Sequence, residues 1–148
     1  MKQLILVITL IISNAVGAEE STWPEGSAMW TGQQLLKERD RYQRLSAILL
    51  DQIESHLEGQ REREALRSHA RAFDLYREAA CEISGVATTA GGTWPSTFAM
   101  RCERGLAYDR YWSMKNALNC IRRVEGSLSP SRYDKLQCLI QTLNVKLY

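Results

Sequence analysis

Apolar positions recur every three or four residues along most of the chain, and nowhere do they alternate one by one. Leu35, Tyr42, Leu45, Leu49, Ile53 and Leu57 mark a first helical face, with Thr31 and Gln34 at capping-box spacing as its start and Gly59 as its candidate stop. In the charged segment QREREALRSHARAFDLYREAACEI, a second face comprises Leu66, Ala70, Phe73, Tyr76, Ala80 and Ile83, ended by Gly85. These two segments read as a helical hairpin, or as one long helix broken near Gly59. A third stripe begins around Arg104 with Leu106, then Tyr111 or Arg110, Met114, Leu118 and Ile121, and Gly126 stops it. In SLSPSRYDKL, Ser129 reads as an N-cap and Pro130 as the first helical residue. Tyr133, Leu136, Leu139, Ile140, Leu143 and Leu147 form the last stripe. The expected fold is all-α, a small bundle of about four helices with short connections.

The beginning of the chain breaks the amphipathic pattern. Lys2 precedes the apolar run LILVITLII and then the small residues Val16, Gly17 and Ala18. That order is the order of a secretory signal peptide over 1–18, and the apolar run is too short for a bilayer span of about 20 residues. Residues 19–30 read as an irregular leader carrying Trp23-Pro24 and Gly26, and 31–148 as a single helical domain. Without the signal peptide the chain has 18 Lys and Arg against 17 Asp and Glu, a net charge of +1. Such a balance supplies no field for nucleic acid. Even the Arg-rich run REREALRSHAR interleaves its arginines with glutamates, as a solvated helix face does.

Export changes the reading of the cysteines. Cys81, Cys102, Cys120 and Cys138 are an even set in an exported chain, which predicts two disulfides. Four cysteines allow three connectivities, and sequence alone proves none of them. A turn at 126–130 folds the last two helices antiparallel, so that Cys120 and Cys138 can face each other. Cys81 is then left with Cys102, and this nearest-neighbour pairing needs the least rearrangement. No Cys-x-x-Cys occurs, and neither His56 nor His69 has ligand spacing to a cysteine, so no metal or cofactor is expected.

Between Cys81 and Cys102 the chain is almost uncharged and contains Gly91, Gly92, Thr93 and Trp94. Gly91 and Gly92 can take positive φ, and Pro95 holds Trp94 extended. A bridge closing this segment would remove about 3 kcal/mol of conformational entropy from the unfolded chain in the loop-entropy model. Two readings of Trp94 stand side by side. It packs with Phe98 onto the helices, or it is presented to a partner by a pre-organised loop.

The segment ARAFDLYREAAC, followed by Gly91-Gly92-Thr93 and CERGLAYDRYWSM, resembles the LprI-like lysozyme inhibitor family. Tyr76, Arg77 and Cys81 match the family's Tyr-Arg and first cysteine. Gly91, Gly92 and Thr93 match its loop. Cys102, Leu106 and Arg110 match its second cysteine and following helix, with Met114 where Leu is usual. Phe73 replaces a common Trp and Ala107 a usual Thr. The family-like part covers about 39–114, and 115–148 is an added C-terminal helical hairpin. The resemblance implies a small helical exported bacterial protein with Cys81 paired to Cys102, and lysozyme inhibition as its activity.

The residues themselves hold no catalytic signature. His56 and His69 lie apart among charged helical residues, no serine sits in a Gly-x-Ser-x-Gly elbow, and no phosphate, zinc or calcium motif occurs. The expected role is therefore not enzymatic. It is that of a periplasmic or secreted protein-binding module, an inhibitor of lysozyme-type cell-wall hydrolases, with no membrane anchor after signal cleavage. The alternative is an immunity, accessory or structural periplasmic protein with a different envelope partner. Gly91, Gly92, Thr93 and Trp94 are the candidate partner contacts. Tyr76, Arg77 and Arg110 are expected to support the loop, the two arginines by bonding its carbonyls or a helix C-terminus.

Overall fold

The computed structural model describes residues 23–87 and 95–143. The expected signal peptide and Gly91, Gly92, Thr93 and Trp94 lie outside the described residues. Within them the fold is all-α: α1 (Ala28–Ser55), α2 (Gln60–Ala87), α3 (Pro95–Glu125) and α4 (Arg132–Thr142). No described helix is long and apolar enough to cross a membrane.

Helix α3 is the axis of the bundle, and each of the other three packs against it. Cross-helix contacts set the directions. Arg39 pairs with Glu103 and Arg104 with Glu38 near the start of α1, and His56 meets Glu125 at its end, so α1 and α3 run parallel. Helix α2 runs back between these ends, and its last turns are tied to the first turns of α3 by the Cys81–Cys102 disulfide, with Cα atoms 5.4 Å apart. Helix α4 folds back on the end of α3 through Cys120–Cys138, at 5.6 Å. Both bridges follow the nearest-neighbour pairing, at ordinary disulfide separations.

The helix ends differ from the sequence expectation, each for a local reason. Helix α1 begins at Ala28 rather than Thr31. Gly26 takes φ 81° at the third position of a turn closed by Ser27 N–H donating to Pro24 O at 3.0 Å. That turn delivers Ser27 as the N-cap, whose Oγ accepts from Trp30 N at 3.2 Å. At the far end α1 stops at Ser55, ahead of Gly59, which serves instead at the entry to α2, where its N–H donates to Glu62 Oε2 at 3.1 Å. Helix α2 runs through the buried Gly85 to Ala87.

The largest correction is at α3, which starts at Pro95 rather than near Arg104. Proline's missing N–H costs nothing in a first helical turn. Most of what reads as a loop between Cys81 and Cys102 is therefore the end of one helix and the start of the next, and Phe98 is helical. Helix α4 is capped by Ser131 rather than Ser129. Its Oγ accepts from Asp134 N at 3.1 Å and leaves Pro130 outside the helix.

The apolar core lies at the end where all four helices meet. Ile53 of α1, Leu57 just after it, Leu66 of α2, Met114, Leu118 and Ile121 of α3, and Cys138 and Leu139 of α4 are buried together. An ionic cluster closes this end. Lys135 Nζ lies 2.9 Å from Glu125 and 3.5 Å from Glu58, and His56 Nδ1 lies 2.8 Å from the same Glu125. The hydrogen bond from Lys135 holds the Glu125 carboxyl below its ordinary range and raises Lys135 in turn.

Candidate functional site

Cys81 sets the phase of α2. Because it faces α3, the buried side of this helix carries Leu66, Ala70, Arg77, Cys81 and Gly85. Tyr76, one residue off that face, turns outward. So does Ile83, which the periodicity counts as core. Leu75, Tyr76, Ile83 and Val86 are 70, 60, 68 and 71 % exposed. With Ala79, also exposed, they form an apolar stripe along the outer face of α2. Tyr76 thus stands in this stripe, its ring 6.5 Å from that of Phe73.

The two arginines lie inward of this stripe. Arg77 is only 6 % exposed and Arg110 is half-buried. Arg77 Nη1 donates to Asp74 Oδ1 at 3.1 Å, and Arg110 Nη1 lies 3.6 Å from the same oxygen. Arg110 Nη1 also donates to Ala70 O at 3.0 Å, and its guanidinium sits 4.6 Å from the centre of the Phe73 ring. Burial lowers the pKa of Arg110, and the neighbouring Arg77 adds to that effect against the pull of Asp74. With the Gln43 amide oxygen turned towards the guanidinium, it accepts from Arg77 Nη1 and Nη2 at 2.5 and 2.9 Å. The described partners of both arginines are therefore in the bodies of α1 and α2, while 88–94, which they were expected to support, lies outside the described residues.

These residues line a groove of about 620 Å³ between α1 and α2, floored by Ala107 and Arg110 of α3. Among the described residues, helices α1 and α2 are joined across it by side-chain hydrogen bonds at two places. One is Gln43 with Arg77. The other is Arg67, whose Nε and Nη2 donate to the two oxygens of Glu54 at 2.7 and 2.6 Å. A second groove, of about 370 Å³, runs between α2 and α4 and is almost wholly apolar, walled by Leu66, Leu136, Leu139, Ile140 and Leu143. His69 reaches it and also faces α3, beside Phe73, Asp109 and Arg110.

Among the described residues no group of His, Cys, Asp and Glu is placed to hold a metal ion. Gln43, Ser46 and Asp74, which complete the groove, carry no sequence motif. Their signal is phase: with Cys81 taken as inward, Arg77 lies one turn before it, and Asp74 about two turns before it, on the same side of the helix. The outward stripe follows from the same step.

Compared with models of protein families, with curated proteins and with solved structures, the chain matches none. The likeness to the LprI-like family accordingly rests on the motif residues and on their order along the chain.

Proposed function

We propose that the protein is an exported binding module that acts by docking on a protein of the cell envelope, a lysozyme-type cell-wall hydrolase by the family resemblance, and carries out no chemistry itself. The observation that carries this reading is the outer stripe of α2. Leu75, Tyr76, Ile83 and Val86 stay mostly exposed at helical spacing beside acidic Glu78 and Glu82. Contiguous exposed apolar side chains with a polar edge are characteristic of protein interaction surfaces. The Cys81–Cys102 bridge holds the C-terminal half of that stripe against α3, so less freedom is lost when it docks. The stripe offers the outer face of the C-terminal half of α2 to a partner. Exposed Glu78 and Glu82 are suited to a basic one.

The test is lysis of bacterial cell walls by c-type, g-type and i-type lysozymes with the purified, oxidised protein added, repeated with Ile83→Glu and with Tyr76→Glu. Inhibition of at least one lysozyme, weakened by both substitutions at unchanged helicity, is the expected result. Absence of inhibition across the panel by folded, oxidised protein removes the hydrolase as partner. Capture of a different envelope protein through the same stripe would then place the chain with immunity or accessory proteins.

A further inference from the structure

The outer face of α2 is complementary to itself. Ala72, Tyr76, Ala79, Ile83 and Val86 follow one another at steps of four, three, four and three residues, the spacing of a coiled-coil seam, and all five are exposed. They lie opposite the face that buries Leu66, Ala70, Arg77, Cys81 and Gly85, so the seam points away from the bundle. Small and bulky residues alternate along it. When the face is laid antiparallel on a second copy with Tyr76 opposite Ala79, Ile83 falls opposite Ala72, and each bulky side chain meets an alanine. A parallel pairing would set Tyr76 on Tyr76 and Ile83 on Ile83, with alanine facing alanine between them. Charge selects the same arrangement. Arg71, Glu78 and Glu82 border the seam on one side, all exposed, and none of them has an ion pair among the described residues. Arg71 donates to Ser68 Oγ at 3.2 Å and meets no carboxylate there. In the antiparallel register Arg71 comes within about 3 Å, along the helix axes, of Glu82 of the second copy, and symmetry repeats the pair. Parallel copies would oppose Arg71 to Arg71 and Glu82 to Glu82.

We propose that two copies of this chain pair antiparallel along α2, about a two-fold axis between Tyr76 and Ala79, with Arg71 of each copy facing Glu82 of the other. The paired face from Ala72 to Val86 is four turns long, about 21 Å. One helix face of that length keeps the interface below about 1,200 Å², in the weak and reversible class. Apolar burial supplies the affinity, and the charges at the rim fix direction and register. The dimer forms without any other protein, so it is independent of the identity of the docking partner. A partner that takes the same stripe has to displace the second copy.

The experiment is sedimentation equilibrium of the purified, oxidised protein alone, over about 1 to 500 µM. A monomer at the low end and a dimer at the high end are expected. Ala79→Leu, exposed and nearly neutral for the helix, is expected to raise the dimer Kd roughly tenfold or more, because leucine there collides with Tyr76 of the second copy. An apolar stripe that associates without a register would instead be strengthened by it. Arg71→Glu and Glu82→Arg are each expected to weaken the dimer about fivefold or more, and the double variant, which restores opposite charges, to return to within about twofold of the original Kd. A monomer at every concentration overturns the proposal. So does a dimer that Ala79→Leu leaves unchanged or strengthens, and so does one in which the two charge reversals add in the double variant.

Discussion

The two ends of this bundle are held by different physics. At the α4 end, four helices bury Ile53, Leu66, Met114, Leu118, Ile121 and Leu139 around Cys120–Cys138. At the other end, three helices meet around Arg77, Asp74, Arg110, Gln43 and Ser46, and a covalent bridge at Cys81–Cys102 stands where apolar bulk is scarce. The contrast locates stability at one end and binding capacity at the other. A dry core tolerates no vacancy, while a polar layer between small residues leaves a groove and turns apolar side chains of α2 outward.

Removing a core side chain should show the contrast most strongly. Ile121 is fully buried, and Ile121→Ala is expected to cost about 2–5 kcal/mol in urea unfolding. At the other end Phe98 is partly exposed, and Phe98→Ala is expected to cost less than about 1 kcal/mol. Equal costs would mean that the polar end is as tightly packed as the core.

The bridges make a sharper pair. They close loops of similar length, with sequence separations of 21 and 18, so chain entropy alone assigns each about 3 kcal/mol. Any difference between the double Cys→Ala variants therefore reports the native state. Loss of Cys120–Cys138 opens a cavity beside Leu139 and Leu118 and should be the costlier, with protection from hydrogen exchange falling throughout the bundle. Loss of Cys81–Cys102 should free mainly 82–87 and 95–101, because few apolar contacts hold those turns. Uniform loss of protection in both variants would erase the distinction between the ends.

Within the polar layer the expected order is unusual. Asp74→Asn takes from Arg77 and Arg110 the carboxylate they share, whereas Arg77→Met leaves Asp74 with Arg110. Asp74→Asn should therefore destabilise more, by about 1–2 kcal/mol given the solvent exposure of Asp74, and Arg77→Met less, since methionine retains much of the packing. The reverse order in thermal melts would show that Arg77 acts chiefly through Gln43.

How much of this was legible from residues alone follows the same division. Helix number, the antiparallel α3–α4 hairpin and the apolar end are visible because apolar periodicity is strongest where burial is dry, as at Leu49, Ile53 and Leu57 or Met114, Leu118 and Ile121. The polar end is not visible that way. Its buried face holds Arg77 and Gly85, so an apolar count assigns Tyr76 and Ile83 to the inside. The bridge cysteine held the missing information, because a half-cystine must face its partner and so fixes the angular phase of its helix. The start of α3 was hidden for a related reason: glycines and a Trp-Pro look like a loop, although proline is well suited to a first helical turn. Gly91, Gly92, Thr93 and Trp94, on which the loop reading turned, lie outside the described residues.

The smallest expected effect arises where the two ends meet. His69 is half-buried between the apolar groove and Arg110, and its Nδ1 is buried without a protein partner among the described residues. Burial lowers its pKa, and the positive charge of Arg110 lowers it further. The folded state thus binds a proton less readily than the unfolded chain, whose imidazole titrates at about 6.5. Stability from this group is complete above that pH and is lost as pH falls towards the lower folded value. Thermal melts from pH 7.5 to 5.5 should show a declining midpoint, and His69→Gln should flatten the decline while leaving the pH 7.5 value nearly unchanged. Glu125, whose pKa is also lowered, contributes its own loss only in more acidic solution, below the ordinary carboxylate range, so the two windows separate. An unchanged slope in His69→Gln would mean that the imidazole is as free to protonate as in water. The polar layer around Arg110 would then not extend its field to the edge of the dry core.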